Sequence, residues 1–166
     1  SLIIHKFRDL NQQEKIIDIG TGAGFPGIPL KIVFPNLDIV LMDSLNKRLK
    51  FLDEVILDLG LKQISTLHGR AEDLGQKKEY REQFDFCVSR AVANLTTLSE
   101  LCLPFVKVGG EFISYKSGDV QEEIRESSRA VTILAGSKSR MELFSLPETD
   151  ISCSFIFIKK EKHPTF

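Results

Sequence analysis

Apolar runs with strand character alternate along this chain with longer segments of helical period, and the alternation predicts an α/β layer fold on a mostly parallel sheet. Two further observations sharpen that expectation. A glycine turn, Gly20-Thr21-Gly22-Ala23-Gly24, follows directly on the first apolar run, where a buried strand bends into a helix. Near the end, two strand-like runs flank Pro147-Glu148-Thr149-Asp150, a connection short enough to predict an antiparallel hairpin.

The elements follow in order. Lys15 to Ile19 reads as the first strand and Gly27 to Phe34 as the helix it feeds. Asp38-Ile39-Val40-Leu41-Met42-Asp43 is the second strand, again ending in an acid. From Leu45 to Leu59, Leu49, Leu52, Ile56 and Leu59 recur at helical spacing, and Gly60 stops the helix. Ile64 to His68 and Phe84 to Val88 are the third and fourth strands, separated by a charged surface segment over Gly75 to Gln83. A helix over Ala91 to Leu103 ends at Pro104, and Gly109-Gly110 turns the chain into a strand over Glu111 to Tyr115. Asp119 to Leu134 is a helix with a polar face. The last strands are expected near Arg140 to Leu146 and Cys153 to Lys160.

Composition bounds the function classes. With 166 residues and 42% hydrophobic content, the chain is expected to form one globular domain over 1–166 with a sizeable core. The apolar runs fall short of a membrane span and no signal peptide opens the chain, so a cytoplasmic location without membrane partners is expected. Cys87, Cys102 and Cys153 are odd in number and set in apolar surroundings, which predicts packing residues rather than disulfides or metal ligands. A net charge of −1 gives no global drive toward nucleic acid. Any such binding must come from local clusters: Lys47-Arg48 with Lys50, Lys77-Lys78 with Arg81, Lys138 with Arg140, and Lys159-Lys160 with Lys162.

The turn carries the chemistry. Its glycines allow positive φ and close approach of a ligand, the helix N-terminus attracts hydrogen-bond-accepting groups, and Asp18 adds a negative charge able to hold an ammonium. S-adenosylmethionine, a nucleoside carrying a cationic group, has both features.

The run Asp18-Ile19-Gly20-Thr21-Gly22-Ala23-Gly24-Phe25-Pro26-Gly27-Ile28-Pro29-Leu30 resembles the glucose-inhibited division protein B family, also called ribosomal small-subunit methyltransferase G. So do Asp43-Ser44-Leu45-Asn46-Lys47-Arg48, Arg70-Ala71-Glu72 and Ser89-Arg90-Ala91-Val92-Ala93. The resemblance runs in order through nearly the whole chain. It implies a class I S-adenosylmethionine-dependent methyltransferase fold, a Rossmann-like seven-stranded sheet that is mostly parallel with a C-terminal antiparallel hairpin. It implies methylation of guanine N7 in small-subunit (16S) ribosomal RNA, with that RNA, the small subunit or its assembly intermediate as partner and a monomeric enzyme. Against the family pattern, the first strand comes within about fifteen residues and the chain stops at His163-Pro164-Thr165-Phe166. The family's N-terminal helical segment and basic C-terminal tail are therefore expected to be missing.

By the same resemblance, Gly20 and Phe25 contact the cofactor, Gly22 and Gly24 shape its turn, and Asp18 holds its amino end. Asp43 meets the ribose, though from the residues alone a solvated strand-end acid is as good a reading. Ala71 and Glu72 receive the adenine, Glu72 being otherwise a helix-starting carboxylate. Arg90 contacts the cofactor near the transfer site and is the candidate for positioning the base; Lys116, with Lys47 and Arg48, is a candidate for RNA phosphate. No metal is expected, and His5, His68 and His163 show no partner spacing.

Ser89-Arg90-Ala91-Val92 contains neither the Asn-Pro-Pro-aromatic motif of exocyclic-amine methyltransferases nor the Pro-Cys of cytosine C5 enzymes. Guanine N7 already presents an in-plane lone pair, so its methylation needs no general base. Alignment alone then carries the rate, an effect worth on the order of 7–11 kcal/mol in favourable cases. Two other readings stay open: an NAD(P)-dependent oxidoreductase, because Gly22-Ala23-Gly24-Phe25-Pro26-Gly27 satisfies Gly-x-Gly-x-x-Gly, and a non-catalytic domain that binds S-adenosylmethionine or RNA.

Overall fold

A computed structural model describes residues 9–10, 13–90, 93–117, 121–134, 140–145 and 152–163, with the backbone alone for 117, 140–145 and 152–153. Along them run β1 (Lys15–Ile19), α1 (Gly27–Val33), β2 (Asp38–Asp43), α2 (Asn46–Asp58), β3 (Ile64–His68), α3 (Ala71–Leu74), β4 (Phe84–Ser89), α4 (Leu95–Cys102), β5 (Val106–Ser117), α5 (Gln121–Ile133), β6 (Arg140–Ser145) and β7 (Ser152–Lys159). Among the described residues the strands form one seven-stranded sheet in the order β3-β2-β1-β4-β5-β7-β6. β1 to β5 pair in parallel. β7 runs antiparallel to both β5 and β6.

β7 rather than β6 joins the parallel part of the sheet, and its sequence explains why. Phe155 and Phe157 are buried on one face of β7 and Ile156 and Ile158 on the other, which suits an interior strand with apolar cover on both sides. The sequence of β6, Arg140-Met141-Glu142-Leu143-Phe144-Ser145, alternates polar and apolar residues as an edge strand does. The insertion also departs from the continuing βα units of dinucleotide-binding dehydrogenases.

Period-2 alternation divides the core into two layers. On one side Ile28, Leu30, Leu49 and Leu52 from α1 and α2 pack on Ile16, Ile39, Leu41 and Phe86. On the other, Leu74, Leu95, Leu98 and Val131 from α3, α4 and α5 pack on Ile17, Ile19, Cys87 and Phe112. The chain steps outward from β1 through β2 to β3, then returns to β4 on the other flank of β1. That reversal opens a crevice at the carboxyl ends of β1 and β4, where open α/β sheets bind ligands.

Several boundaries differ from the sequence expectation, and three of the differences have a visible cause. The helix expected from Ala91 starts at Leu95 behind an Asn94 cap, whose Oδ1 accepts a hydrogen bond from Thr97 N at 2.9 Å; Ala91 and Val92 lie outside the described residues. Its far end tightens into a 3-10 turn over Leu103–Phe105 around Pro104. β5 begins at Val106 rather than Glu111, because its register against β4 shifts: Phe84 faces Val106, whereas Phe86 faces Glu111. Asp119, Val120 and the connection Pro147 to Asp150 also lie outside the described residues.

The irregularity depends on Gly110, where an added Cβ would stand 2.4 Å from the Asp85 carbonyl oxygen. Backbone cannot yield as a flexible side-chain tip can. Gly110→Ala is expected to destabilise the fold by about 1–3 kcal/mol, read as a lowered urea midpoint with an unchanged m-value. Among the described residues no helix is long and apolar enough to cross a membrane.

Candidate active site

The crevice holds about 770 Å³ and is bounded by the turn after β1, the ends of β2 and β4, the start of α3 and one side of α4. The turn is pinned to β2, since Gly20 N and Thr21 N both donate to the Met42 carbonyl, at 2.9 and 3.0 Å. Gly20 and Gly22 adopt φ of +69° and +58°, and a Cβ at either would meet nothing within 4 Å. These glycines are needed for their backbone conformation, and without a Cβ they leave room for a ligand to approach. Gly24 serves differently: its absent Cβ would lie 2.6 Å from Ile28 Cγ1 and 2.9 Å from Leu52 Cδ2, so it lets the turn press against α1 and α2.

Asp18 does not line the crevice, which corrects the expectation that it grips the ligand's ammonium. It is fully buried under the turn. Its Oδ2 accepts from Thr21 Oγ1 at 2.8 Å and from Gly27 N at 3.0 Å, tying the turn to the start of α1. Among the described residues its Oδ1 has no hydrogen-bond partner. Burial raises its pKa to about 7; the hydrogen bonds from Thr21 and Gly27 and the Arg90 charge pull the other way. Gly27 must be glycine here, because a Cβ would lie 2.2 Å from Leu41 Cδ2 and 3.0 Å from Asp18 Oδ2.

Asp43 stands at the rim with its carboxylate in use. Oδ1 accepts from Leu45 N at 3.0 Å, Oδ2 accepts from Gly22 N at 2.9 Å, and the Arg48 guanidinium is 3.8 Å away. This acid therefore sets the height of the glycine turn as well as facing the crevice. Phe25, half exposed, forms part of the wall. Ala71 and Glu72 line the opposite end with Arg70, whose guanidinium lies 3.9 Å from the Glu72 carboxylate. Arg90 is exposed and lines the crevice just past β4.

The structure thus gathers Gly20, Phe25, Asp43, Arg48, Ala71, Glu72 and Arg90 around one cavity and places Asp18, Gly22 and Gly24 behind it. Sequence reasoning missed Thr21, Arg70, Ala93, Leu98 and Leu101, which also line it. Arg70 carried a signal as the base directly before Ala71-Glu72, and Leu98 and Leu101 as an apolar pair at helical spacing. Among the described residues no cluster of His, Cys, Asp or Glu could hold a metal ion.

Lys116 is not the free RNA contact expected of it. Its side chain is 10% exposed, pairs with Glu123 at 3.0 Å and donates to the Ala93 carbonyl. Glu123 also accepts from Leu95 N at the start of α4, so the pair lashes β5, α4 and α5 together. Lys160 is likewise withdrawn from its expected basic patch. It is fully buried, donates to the Leu103 carbonyl at 3.0 Å and lies 3.4 Å from Glu82, and burial lowers its pKa. Lys47 and Arg48 stay exposed on the first turn of α2, whereas Lys138 and the Arg140 side chain lie outside the described residues.

Strand order, switch-point crevice and glycine turn together define the class I S-adenosylmethionine-dependent methyltransferase fold. Solved structures agree. Haemonchus contortus phosphoethanolamine N-methyltransferase 2, in complex with S-adenosyl-L-methionine, superposes with TM-score 0.73 at 13% identity over 96% of this chain and 51% of that one. A predicted O-methyltransferase from Agrobacterium tumefaciens does so with TM-score 0.73 at 13% identity over 93% and 77%. Sequence narrows the class. Residues 1–152 match the family GidB, rRNA small subunit methyltransferase G, and the chain belongs to that family. The Ribosomal RNA small subunit methyltransferase G of Lachnoclostridium phytofermentans is 54% identical over 162 residues, which cover 98% of this chain and 67% of that protein. Its counterpart in Clostridium tetani is 51% identical over 160 residues, covering 96% and 67%. The chain thus spans about two thirds of these relatives' length.

Two outcomes follow from this geometry. The folded-state pKa of Asp18 lies above its unfolded value of 3.8, so the folded protein keeps a proton that the unfolded chain has released. Stability should fall as pH rises between about 4 and 7, and Asp18→Asn should flatten that slope, a difference of a few kcal/mol at alkaline pH read from urea midpoints. Lys116→Met should cost about 1–3 kcal/mol of stability through the stranded Glu123 while leaving the salt dependence of RNA binding unchanged.

Proposed function

We propose that this protein is an enzyme that methylates guanine N7 in small-subunit ribosomal RNA, with S-adenosylmethionine as methyl donor. The observation that carries the reading is the open glycine turn at Gly20, set beside the Asp43 carboxylate at the reversal of strand order. A nucleoside with a polar amino-acid tail fits this lining. The backbone at Gly20 and Thr21 admits the tail, and Asp43 retains acceptor capacity for ribose hydroxyls beyond its bonds to Gly22 and Leu45. The Phe25 ring and the apolar side of Ala71 offer surfaces for the adenosine, with Glu72 beside them. Asp18 contributes from below, by holding Thr21 and Gly27 in place.

When bound, the cofactor supplies a methyl group activated by its sulfonium. The described lining residues offer guanidinium groups, from Arg48, Arg70 and Arg90, and carboxylates already engaged, Asp43 by two backbone donors and the Arg48 charge and Glu72 by Arg70. Such a site orients and neutralises; it is not built to remove a proton. That favours a nucleophile with a ready lone pair, and guanine N7 has one. Arg90, past the end of β4, donates toward the base, O6 being the acceptor next to N7 on the same edge. A structured RNA must present that guanine from a loop or unstacked position, because the deep groove of an A-form helix hides N7. The chain acts as a single methyltransferase domain, a cytoplasmic monomer whose partner is the ribosomal RNA, free or within the small subunit.

Gly20→Ala, forced to positive φ, is expected to weaken S-adenosylhomocysteine binding about tenfold in calorimetric titration. Arg90→Ala should lower transfer of labelled methyl to ribosomal RNA by about ten- to hundred-fold, with chemical cleavage mapping reporting loss of N7-methylguanosine. Tight binding of NADH with no binding of S-adenosylhomocysteine would reject the reading.

A further inference from the structure

The acids around the crevice differ in how their charge is compensated. Asp43 has two backbone donors and Arg48, and Glu72 is exposed beside Arg70. Asp18 has two neutral donors on one oxygen and, among the described residues, no partner on the other and no ion pair. The groups that face it can be named element by element. Thr21 and Gly27 belong to its own turn and to α1, and the engaged Asp43 carboxylate comes from β2. From β4 come Arg90, a cation with its side chain in the solvent-open crevice, and Cys87, whose thiol is held neutral by burial. From β5 comes Tyr115, whose hydroxyl is also held neutral by burial. A negative charge at Asp18 thus lies in a dry layer under the crevice floor, where Thr21 is at once its hydrogen-bond donor and a lining residue. Fields from such a buried charge are weakly screened.

We propose that Asp18 is a specificity-determining residue that favours the cationic sulfonium donor over the neutral thioether product, acting through its field and touching neither. The inference rests on the cofactor reading above and deepens it. Donor and product differ at sulfur by one methyl and one positive charge, and share every other group, so a buried anion separates them where shape alone distinguishes them little. The sulfonium charge also lowers the donor's own amino pKa below the product's, so that group adds a pH dependence of its own, which Asp18→Asn retains and against which the effect of Asp18 is read. By linkage, a cation bound above Asp18 stabilises its ionised form and binding expels the proton. The raised pKa of Asp18 places this exchange near neutral pH. Methyl transfer removes the charge that Asp18 attracts, which loosens the product.

Titration calorimetry with S-adenosylmethionine and S-adenosylhomocysteine across about pH 5.5 to 8.5 tests this. The preference for the donor should grow on the order of tenfold as Asp18 ionises, with proton release on donor binding visible in buffers of different ionisation enthalpy. Asp18→Asn should remove that growth and leave only the dependence that the ligands' own amino groups supply. Thr21→Val, which removes a hydrogen bond that favours the ionised form, should move the midpoint to higher pH. A pH dependence of the ratio that is the same in the unsubstituted protein and in Asp18→Asn overturns the proposal. Failure of both ligands to bind at any pH overturns instead the cofactor reading beneath it.

Discussion

A carboxylate shut off from water sits under the bend between β1 and α1, and the crevice takes its shape from that group. Burying Asp18 is costly, and Thr21 Oγ1 and Gly27 N, which both donate to Oδ2, offset part of that cost. Those two bonds fix the turn relative to the first residue of α1. Gly27 can come this close only without a Cβ, since Leu41 of β2 fills the space beyond it. Strand, turn, helix and neighbouring strand are thereby one mechanical unit. Its upper surface is the stretch of open backbone at Gly20 and Thr21.

The opposite walls are held by charges turned inward. Asp43 grips Gly22 and Leu45 with separate oxygens, coupling the rim of the crevice to the start of α2. Glu123 receives Leu95 N and Lys116, so the first turn of α4, which carries the apolar side of the crevice, hangs from α5 and β5. Lys160 and Lys31 are buried against carbonyls in the same manner. Counting basic residues therefore overstates the cationic surface. In a chain of net charge −1, attraction for a polyanion rests on local exposed cations such as Lys47, Arg48, Arg70 and Arg90 rather than on net charge.

How much of this was legible in advance depended on the range of the interaction. Strand and helix identities rest on periodicity within a dozen residues, and β3 falls at Ile64–His68 as read. The glycine turn and Asp43 were legible because a binding turn announces itself by backbone chemistry and by an acid at a strand end. The role of Asp18 was not: its neighbours in sequence say that it ends a strand, but which way the carboxylate points follows from the packing of α1 and Leu41 over it. Lys116 misled for the same reason, since its partner Glu123 lies on the next element, α5, and only packing turns the two side chains toward each other. Arg70 and the α4 leucines were missed because they reach the crevice only after β3 and β4 are laid on either side of β2 and β1.

By itself, the sequence determined an α/β protein with a ligand-binding turn and a family to which it belongs, since propensity, periodicity and motif spacing are local properties. Only the tertiary structure decided that β7 enters the sheet between β5 and β6, that Lys116 and Lys160 face inward, and that Asp18 lies beneath its site rather than in it. Burial is the physical reason. Whether a charge meets water, a ligand or a partner is settled by residues distant in the chain, and desolvation sets what that charge can do.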